Sequence, residues 1–320
     1  MVKKQKKEKK QELSLFQKII FFLKTYKVHI FFTIIFLVFL YLRFSNLGSN
    51  PFGYDQSDNA WAAKNIIDEH RIPLLGMVAK EDSGFYIGPF YYYVLAIVYW
   101  IFNLDPIASA VFAGLSAVFS VCILFFVAKK LFSTKVAFIA MIIQTVAFAA
   151  IQFDRVQWPV NFIPPVSLLI FYYLYNVLMG KPKHLIYLGV AVGLMFSVHF
   201  TAVFFPIIIF LCVPFFPWNK ETIKYALLAI PAFFVWLVPN IISEIQSNSN
   251  HTNNLVGYIH STFLGFHLVR VIQVAKDGFI QFEPFFRFQI IKPLKYMLLP
   301  FLAVVYYFQK PRRQWFVMVY

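Results

Sequence analysis

Long runs of apolar residues, separated by shorter polar segments, make up most of the chain. A membrane-spanning helix needs about 20 mostly apolar residues, because the hydrocarbon core of a bilayer is about 30 Å thick. We therefore predict an all-α polytopic membrane protein with about eight to ten transmembrane helices. The predicted spans are 26–47, 87–103, 106–128, 136–153, 160–179, 184–200, 201–217, 225–242, 291–308 and a last run that begins near Trp315.

The polar segments divide the chain into a tail, a membrane domain and two long loops. Residues 1–27 form a basic tail, and residues 28–320 are predicted to form a single transmembrane domain. The long loops are 48–86, which we expect to carry juxtamembrane helices, and 243–290. Because the last apolar run is cut short at Tyr320, we expect the protein to continue beyond that residue.

The composition narrows the class of protein further. Hydrophobic residues make up 60% of the chain and charged residues 13%, whereas an ordinary soluble domain has about 45–50% and about 25%. A soluble fold cannot bury that much apolar surface, which excludes a soluble enzyme, a secreted disulfide scaffold and a disordered tail. The two cysteines, Cys122 and Cys212, both lie in apolar runs, so no disulfide framework or thiolate metal site is predicted.

The distribution of the net charge of +15 predicts the orientation of the chain. The lysine-rich residues 1–27 precede the first apolar run, which is typical of a cytoplasmic anchor rather than a nucleic-acid-binding tail. If 87–103 does not cross the membrane, 19 of the 29 Lys and Arg residues, but only three of the 14 acids, lie on the inner side. We therefore predict a plasma-membrane protein with a cytoplasmic N-terminus, in which 87–103 is an interfacial or re-entrant helix on the outer side.

This topology brings several chemistry-bearing residues to the outer face. Asp55 and Asp58 follow the first span closely, and either a general base near the headgroups or a solvated, helix-capping acid fits them. Asp154 and Arg155 end a span, either as an interfacial stop or, for Arg155, as a bidentate ligand of phosphate oxygens. His199 ends another span, where it is either functional or an interfacial side chain.

The remaining candidates carry weaker signals. Trp158 and Asn161 follow Arg155 by three and six residues, so they share a helix face with it only loosely. In the second long loop, Arg270 is either a substrate contact or a solvated charge, and the histidines there lack metal-ligand spacing. From that spacing no metal is predicted. The chain contains no Walker A loop and no GxGxxG fingerprint, so no nucleotide cofactor is predicted either. An enzyme here would need a donor delivered by the membrane.

Four short motifs follow one another along the chain. They are Tyr54–Ala63 (YDQSDNAWAA), Ser83–Tyr93 (SGFYIGPFYYY), Arg155–Asn161 (RVQWPVN) and Gly193–His199 (GLMFSVH). In the order of these motifs, over roughly residues 20–220, the chain resembles membrane glycosyltransferases of the GT-C fold, and among them bacterial and archaeal relatives of the protein O-mannosyltransferases and of the lipid A aminoarabinose transferases.

The resemblance implies a glycosyltransferase that moves a sugar from a polyprenyl-phosphate donor to an acceptor hydroxyl on the extracytoplasmic side. The acceptor is left open between a protein, a lipid and a glycan. By its position, Asp55 corresponds to the family's catalytic base or acceptor-site residue. Either Asp154 or Asn161 takes the place of the second acid that many members carry.

The resemblance also implies cationic contacts to the donor phosphate. Arg155 is the first choice to stabilise the leaving phosphate, with Arg270 and Lys80 behind it. Some relatives carry a lysine where this chain has Gly88, so that contact is lost or moved, with Lys80 as a replacement. The other residues predicted to contact substrate are Asp58, Tyr86, Trp158 and His199.

A transporter or flippase of a lipid-linked sugar is the alternative function. Transporters more often carry charges in the middle of their spans and show paired repeats with broken helices. In this chain the charges cluster at the outer ends of the predicted spans and no clear internal repeat is found, which favours the transferase. A structural membrane subunit without catalysis is the third hypothesis.

Overall fold

The computed structural model describes residues 15–79, 83–264 and 273. The chain divides into two compact units, Met1–Leu264 and Gly265–Tyr320, and the description below concerns the first. The single domain expected over 28–320 therefore stays a prediction, and the spans expected at 291–308 and from Trp315 lie outside the described residues.

The described part of the chain is built almost entirely from α-helices. Its twelve α-helices are α1 (Leu15–Phe44), α2 (Tyr54–Asp68), α3 (Phe90–Ile101), α4 (Ile107–Leu131), α5 (Thr134–Val146), α6 (Phe148–Asp154), α7 (Ile163–Leu178), α8 (His184–Val198), α9 (Phe204–Cys212), α10 (Lys220–Phe234), α11 (Val238–Gln246) and α12 (Asn250–Leu264). Among these described residues, extended pairing is limited to one isolated bridge between Val78 and Tyr86. The predicted all-α class is confirmed, and α2 is the helix expected in the first long loop.

Several helices are long and apolar enough to cross a membrane. In the part of the chain that the structure describes, these are Thr25–Phe44, Ile107–Leu131, Pro159–Leu178 and Lys220–Gln246, and α5 with α6 makes a fifth if the bent pair counts as one span. Three shorter apolar segments are Phe90–Ile101, His184–Val198 and Phe200–Phe215. These helices confirm a polytopic membrane protein, while the total of about eight to ten spans stays a prediction.

Helix α3 is short, and it packs against the helix of the first long loop. Its 12 residues rise about 18 Å, less than the roughly 30 Å of a bilayer core. The interfacial or re-entrant placement of 87–103 stays a prediction. A shared core of α2, α3 and α4, which includes Ala63, Leu95 and Phe112, fixes α2 against the other two helices.

The run 136–153, predicted as one span, is two helices that meet at 70°. Ala147 adopts an extended conformation between α5 and α6, which leaves carbonyl groups at the end of α5 without partners inside the helix. The guanidinium of Arg43, near the end of α1, donates hydrogen bonds to two of them, the carbonyls of Gln144 and Thr145. A cation at a helix C-terminus also interacts favourably with the helix dipole, so Arg43 stabilises the break.

Two glycines allow α8 and α10 to approach closely. A Cβ atom at Gly189 would overlap the carbonyl oxygen of Ala229, and one at Gly193 would overlap that of Phe233. Both glycines therefore lie where only a hydrogen atom fits between the two helices. Gly193 also begins the motif that ends at His199.

Candidate active site

Asp154 is enclosed in an ion pair with Arg43. Its Oδ2 accepts hydrogen bonds from Nε and Nη2 of Arg43 at 3.0 and 2.9 Å, and from the Gln144 amide at 3.4 Å. The side chains of Arg43 and Asp154 are 0% and 6% exposed, and the Arg43 guanidinium lies 4.2 Å from the centre of the Phe39 ring. This carboxylate holds helices together, and its predicted contact with substrate stays untested.

Arg155, the next residue, contacts the end of α1. Its Nη2 donates to the Asn46 carbonyl at 2.9 Å and to the Ser49 hydroxyl at 3.2 Å, and its Nη1 donates to the Leu42 carbonyl at 3.4 Å. A guanidinium has five N–H groups, so these three contacts do not exhaust its donors. No helix begins at Arg155, because a 3-10 turn starts only at Pro159 and α7 at Ile163.

The structure joins two of the sequence motifs at Asp55. This residue lies in the first turn of α2 and is half-buried. The indole N–H of Trp158 donates to Oδ2 of Asp55 at 3.0 Å, although the two residues are 103 positions apart. The predicted catalytic base and a predicted substrate-contacting residue are therefore direct neighbours, held by a hydrogen bond between a carboxylate and a neutral donor.

A buried network of neutral polar groups lies beside this contact. The Gln56 amide donates to the Gln157 carbonyl at 2.9 Å. The Gln157 side chain accepts from the Ser109 hydroxyl at 3.3 Å and donates to the Tyr91 hydroxyl. Gln56 and Gln157 are 4% and 1% exposed. The network therefore connects α2, α3 and α4 to the segment 155–161, which follows α6.

Asn161 and His199 lie near helix ends, without hydrogen bonds to Asp55. The Asn161 amide donates to the Val156 carbonyl at 2.8 Å, and its oxygen is buried with no partner among the described residues. The Nδ1 atom of His199 accepts from the Thr201 N–H at 3.2 Å and so caps the 3-10 turn that follows α8.

Asp58 lies one turn along α2, on the exposed side, near Tyr92 of α3. Burial, and to a smaller extent the Asp58 charge, raises the pKa of Tyr92 to about 12. Tyr92 also lines a cavity of about 520 Å³ beside the second half of α2. The cavity is lined by Ala62, Asn65, Ile66, Glu69, Arg71, Ile72, Pro73, Leu74, Leu75, Tyr92 and Ser243.

The cavity lies on the same side of α2 as Asp55. Asp55, Asp58, Ala62 and Asn65 follow one another at spacings of three and four residues, which places them along one stripe of the helix. At a rise of 1.5 Å per residue, Ala62 lies about 10 Å along the helix from Asp55. The stripe therefore connects the candidate base with the cavity.

The loop that precedes α3 is held by the last described helices. The ring of Tyr86 makes an edge contact with His251 of α12, with the ring centres 5.6 Å apart. The amide of Asn240 donates to the Tyr86 carbonyl at 3.4 Å.

Two predicted cations, Lys80 and Arg270, lie outside the described residues. In the part that is described, no group of three or more His, Cys, Asp or Glu side chains could hold a metal ion.

Sequence reasoning missed Arg43, Gln56 and Gln157. An arginine inside an apolar run is costly to place in a membrane unless it is paired. The position of Arg43 within 26–47 could therefore have predicted an acidic partner. The two glutamines carried none, because their roles depend on contacts between segments about 100 residues apart.

The fold and this site define a polytopic α-helical membrane protein with a polar cluster where its helices end. Residues 87–242, just under half of the chain, match the family described as dolichyl-phosphate-mannose-protein mannosyltransferase. The match confirms the predicted resemblance and supports a glycosyltransferase of the GT-C type. It includes Arg155–Asn161 and Gly193–His199, whereas Asp55 lies before it. Neither the curated proteins nor the solved structures gave a match.

Proposed function

We propose that this protein transfers a sugar from a polyprenyl-phosphate donor to an acceptor hydroxyl on the extracytoplasmic side of the plasma membrane. The family match of 87–242 supports the reaction class. The contact between Asp55 and Trp158 at 3.0 Å supports Asp55 as the catalytic base. The Trp158 N–H contacts one oxygen of the half-buried Asp55 carboxylate, whereas the Asp154 carboxylate is enclosed in an ion pair with Arg43.

In the proposed reaction, the acceptor hydroxyl attacks the anomeric carbon of the donor sugar. Asp55 accepts the hydroxyl proton as the new carbon–oxygen bond forms. The bond between the anomeric carbon and the phosphate oxygen breaks, and the lipid phosphate leaves with the electron pair. The charge that develops on the phosphate requires a nearby cation or a set of hydrogen-bond donors.

Arg155 is the proposed cation for the leaving phosphate. It lies three residues from Trp158 on the same segment, and its contacts with the end of α1 hold the guanidinium in place. Its remaining N–H groups are available for phosphate oxygens. Lys80 and Arg270 are proposed as further cations, on their residue types alone.

The other candidate residues take secondary places in this proposal. Asn161 and His199 are proposed to hydrogen-bond the sugar or the phosphate, and Tyr86 to border the donor. Asp58 and the cavity beside α2 lie along the stripe that starts at Asp55, which favours this side for the acceptor. Asp154 is assigned a supporting role, because its carboxylate is occupied by Arg43.

The proposal is tested by sugar transfer in membranes that carry the protein. Labelled polyprenyl-phosphate sugars are the donors, and the release of free lipid phosphate is the readout. We expect Asp55→Asn to lower the rate about 10²- to 10⁴-fold, because a general base contributes about that much. Asp68→Asn is the matched control, since this acid lies on the same helix but pairs with Lys64 on the surface.

Each result decides between the functions considered. Release that is lost in Asp55→Asn and kept in Asp68→Asn establishes a lipid-donor transferase with Asp55 as its base. Equal release by all three proteins removes Asp55 from that role. If no donor is consumed by folded protein, the transferase is excluded, and movement of the lipid-linked sugar across vesicles becomes the assay for the transporter.

A further inference from the structure

We infer that Gln157 is a positioning residue that fixes Asp55 through α2. The inference rests on the proposed function, because it takes Asp55 as the base. Gln157 is 1% exposed and lies in the non-helical stretch between α6 and the 3-10 turn at Pro159. A buried amide in irregular backbone needs partners from elsewhere in the fold, and Gln157 finds them on three different helices.

The contacts of Gln157 form a junction. Its side-chain oxygen accepts from Ser109 in the first turn of α4, at 3.3 Å. Its amide nitrogen donates to the hydroxyl of Tyr91 in the first turn of α3. Its backbone carbonyl accepts from Gln56 of α2, at 2.9 Å. The two side-chain hydrogen bonds therefore hold Gln157 against α3 and α4. The backbone carbonyl of Gln157 in turn holds α2, through Gln56.

Gln56 carries this constraint to the candidate base. Its nitrogen contacts Gln157, while its oxygen accepts from the backbone N–H of Gly53 at 2.9 Å and so caps the N-terminus of α2. Asp55 lies between these two anchored positions. The residue after Gln157 is Trp158, which donates to Asp55.

Two consecutive residues of one segment thus hold two consecutive residues of α2. The pairs are Gln157 with Gln56 and Trp158 with Asp55, at 2.9 and 3.0 Å. The Trp158 hydrogen bond orients the Asp55 carboxylate, and the Gln56 contact fixes the backbone of α2 that carries it. Since a misplacement of about 1 Å can cost about 100-fold in rate, such a double attachment matters for a base.

The first measurement needs no substrate. Hydrogen exchange of the detergent-solubilised protein is followed for residues 57–63 of α2, with α10 as the internal reference. We expect Gln157→Leu to speed exchange in α2 about tenfold while α10 is unchanged, because the opening is local. Gln152→Leu is the matched control, since Gln152 is exposed on α6. Unchanged exchange in α2, or an equal rise in both helices, overturns the inference.

The second measurement separates positioning from loss of folded protein. We expect Gln157→Leu to lower kcat about 10- to 100-fold per folded molecule, with KM changed by less than about threefold. In the Asp55→Asn background, Gln157→Leu should lower the residual rate no further, because its effect passes through Asp55. An additional fall in that background, or an unchanged kcat, overturns the inference.

The two hypotheses fail in different ways. If Asp55→Asn retains full activity, the proposed function of Asp55 fails, while the exchange experiment still decides whether Gln157 holds α2. If Asp55→Asn is inactive and Gln157→Leu is as active as the wild type, only the inference about Gln157 fails.

Discussion

Asp154 and Asp55 are two carboxylates with opposite surroundings. The Asp154 side chain is 6% exposed and pairs with Arg43. Asp55 is half-buried, and its partner is the neutral indole of Trp158. A buried ion pair is costly to break, since either charge would be left without a partner. The first carboxylate therefore suits an anchor between helices, and the second suits a proton acceptor.

The largest expected effect on stability comes from Arg43→Met. This change leaves Asp154 as an unpaired buried charge and removes the donors for the Gln144 and Thr145 carbonyls at the end of α5. We expect it to lower the free energy of unfolding by about 3–5 kcal/mol. Equilibrium unfolding in detergent measures the loss.

The double variant Arg43→Met with Asp154→Leu sharpens this prediction. Replacing both partners of a buried pair with apolar side chains is often nearly neutral, so most of the stability should return. If the double variant is as unstable as the single one, the carbonyl contacts rather than the ion pair hold the helices. Arg71→Met, at an exposed position, is the control, with an expected change within about 0.5 kcal/mol.

An intermediate effect is expected from Trp158→Phe, and it should fall on activity instead of stability. The change keeps an aromatic ring but removes the N–H group that contacts Asp55. Without this hydrogen bond the carboxylate is held less precisely, and since a misplacement of about 1 Å can cost about 100-fold in rate, the transfer rate should fall about 10- to 100-fold. Sugar-transfer kinetics and unfolding are measured on the same preparations.

Trp61→Phe is the control for that substitution, because Trp61 lies on α2 and is exposed. It should retain the wild-type rate. A large loss of stability in Trp158→Phe, without a change in rate per folded molecule, would mean that Asp55 is an anchor like Asp154.

The smallest effect is expected at a third carboxylate, Asp68. It pairs with Lys64 one turn before it on α2, and the two side chains are 43% and 42% exposed. Lys64→Met should change the free energy of unfolding by at most about 0.5 kcal/mol, because solvent screens an exposed pair. A cost near that of Arg43→Met would show that burial is not what separates these pairs.

The sequence was sufficient for the features that depend on local pattern. The apolar runs predicted the membrane helices, and the polar loop 48–86 was correctly expected to carry a helix. The motif Arg155–Asn161 was assigned to the GT-C resemblance, and the family match includes it. These features depend on hydrophobicity and residue order, and both can be read directly from the sequence.

Other features depended on contacts that no local pattern records. The run 136–153 has no proline or glycine to mark its break at Ala147. The break is held by Arg43, about 100 residues earlier, whose guanidinium takes the freed carbonyls of α5. Arg155 was assigned to phosphate from its residue type, whereas its contacts in the structure are with the end of α1.

The sequence by itself determined the membrane environment of this protein, its helical class and its family resemblance, because each depends on composition, hydrophobic run length or motif order. Only the tertiary structure decided which carboxylate is enclosed and which is half-exposed. That difference depends on whether a guanidinium or an indole from a distant segment reaches each carboxylate. Such partners are brought together by the packing of whole helices, and Asp55 and Asp154 look alike until that packing is known.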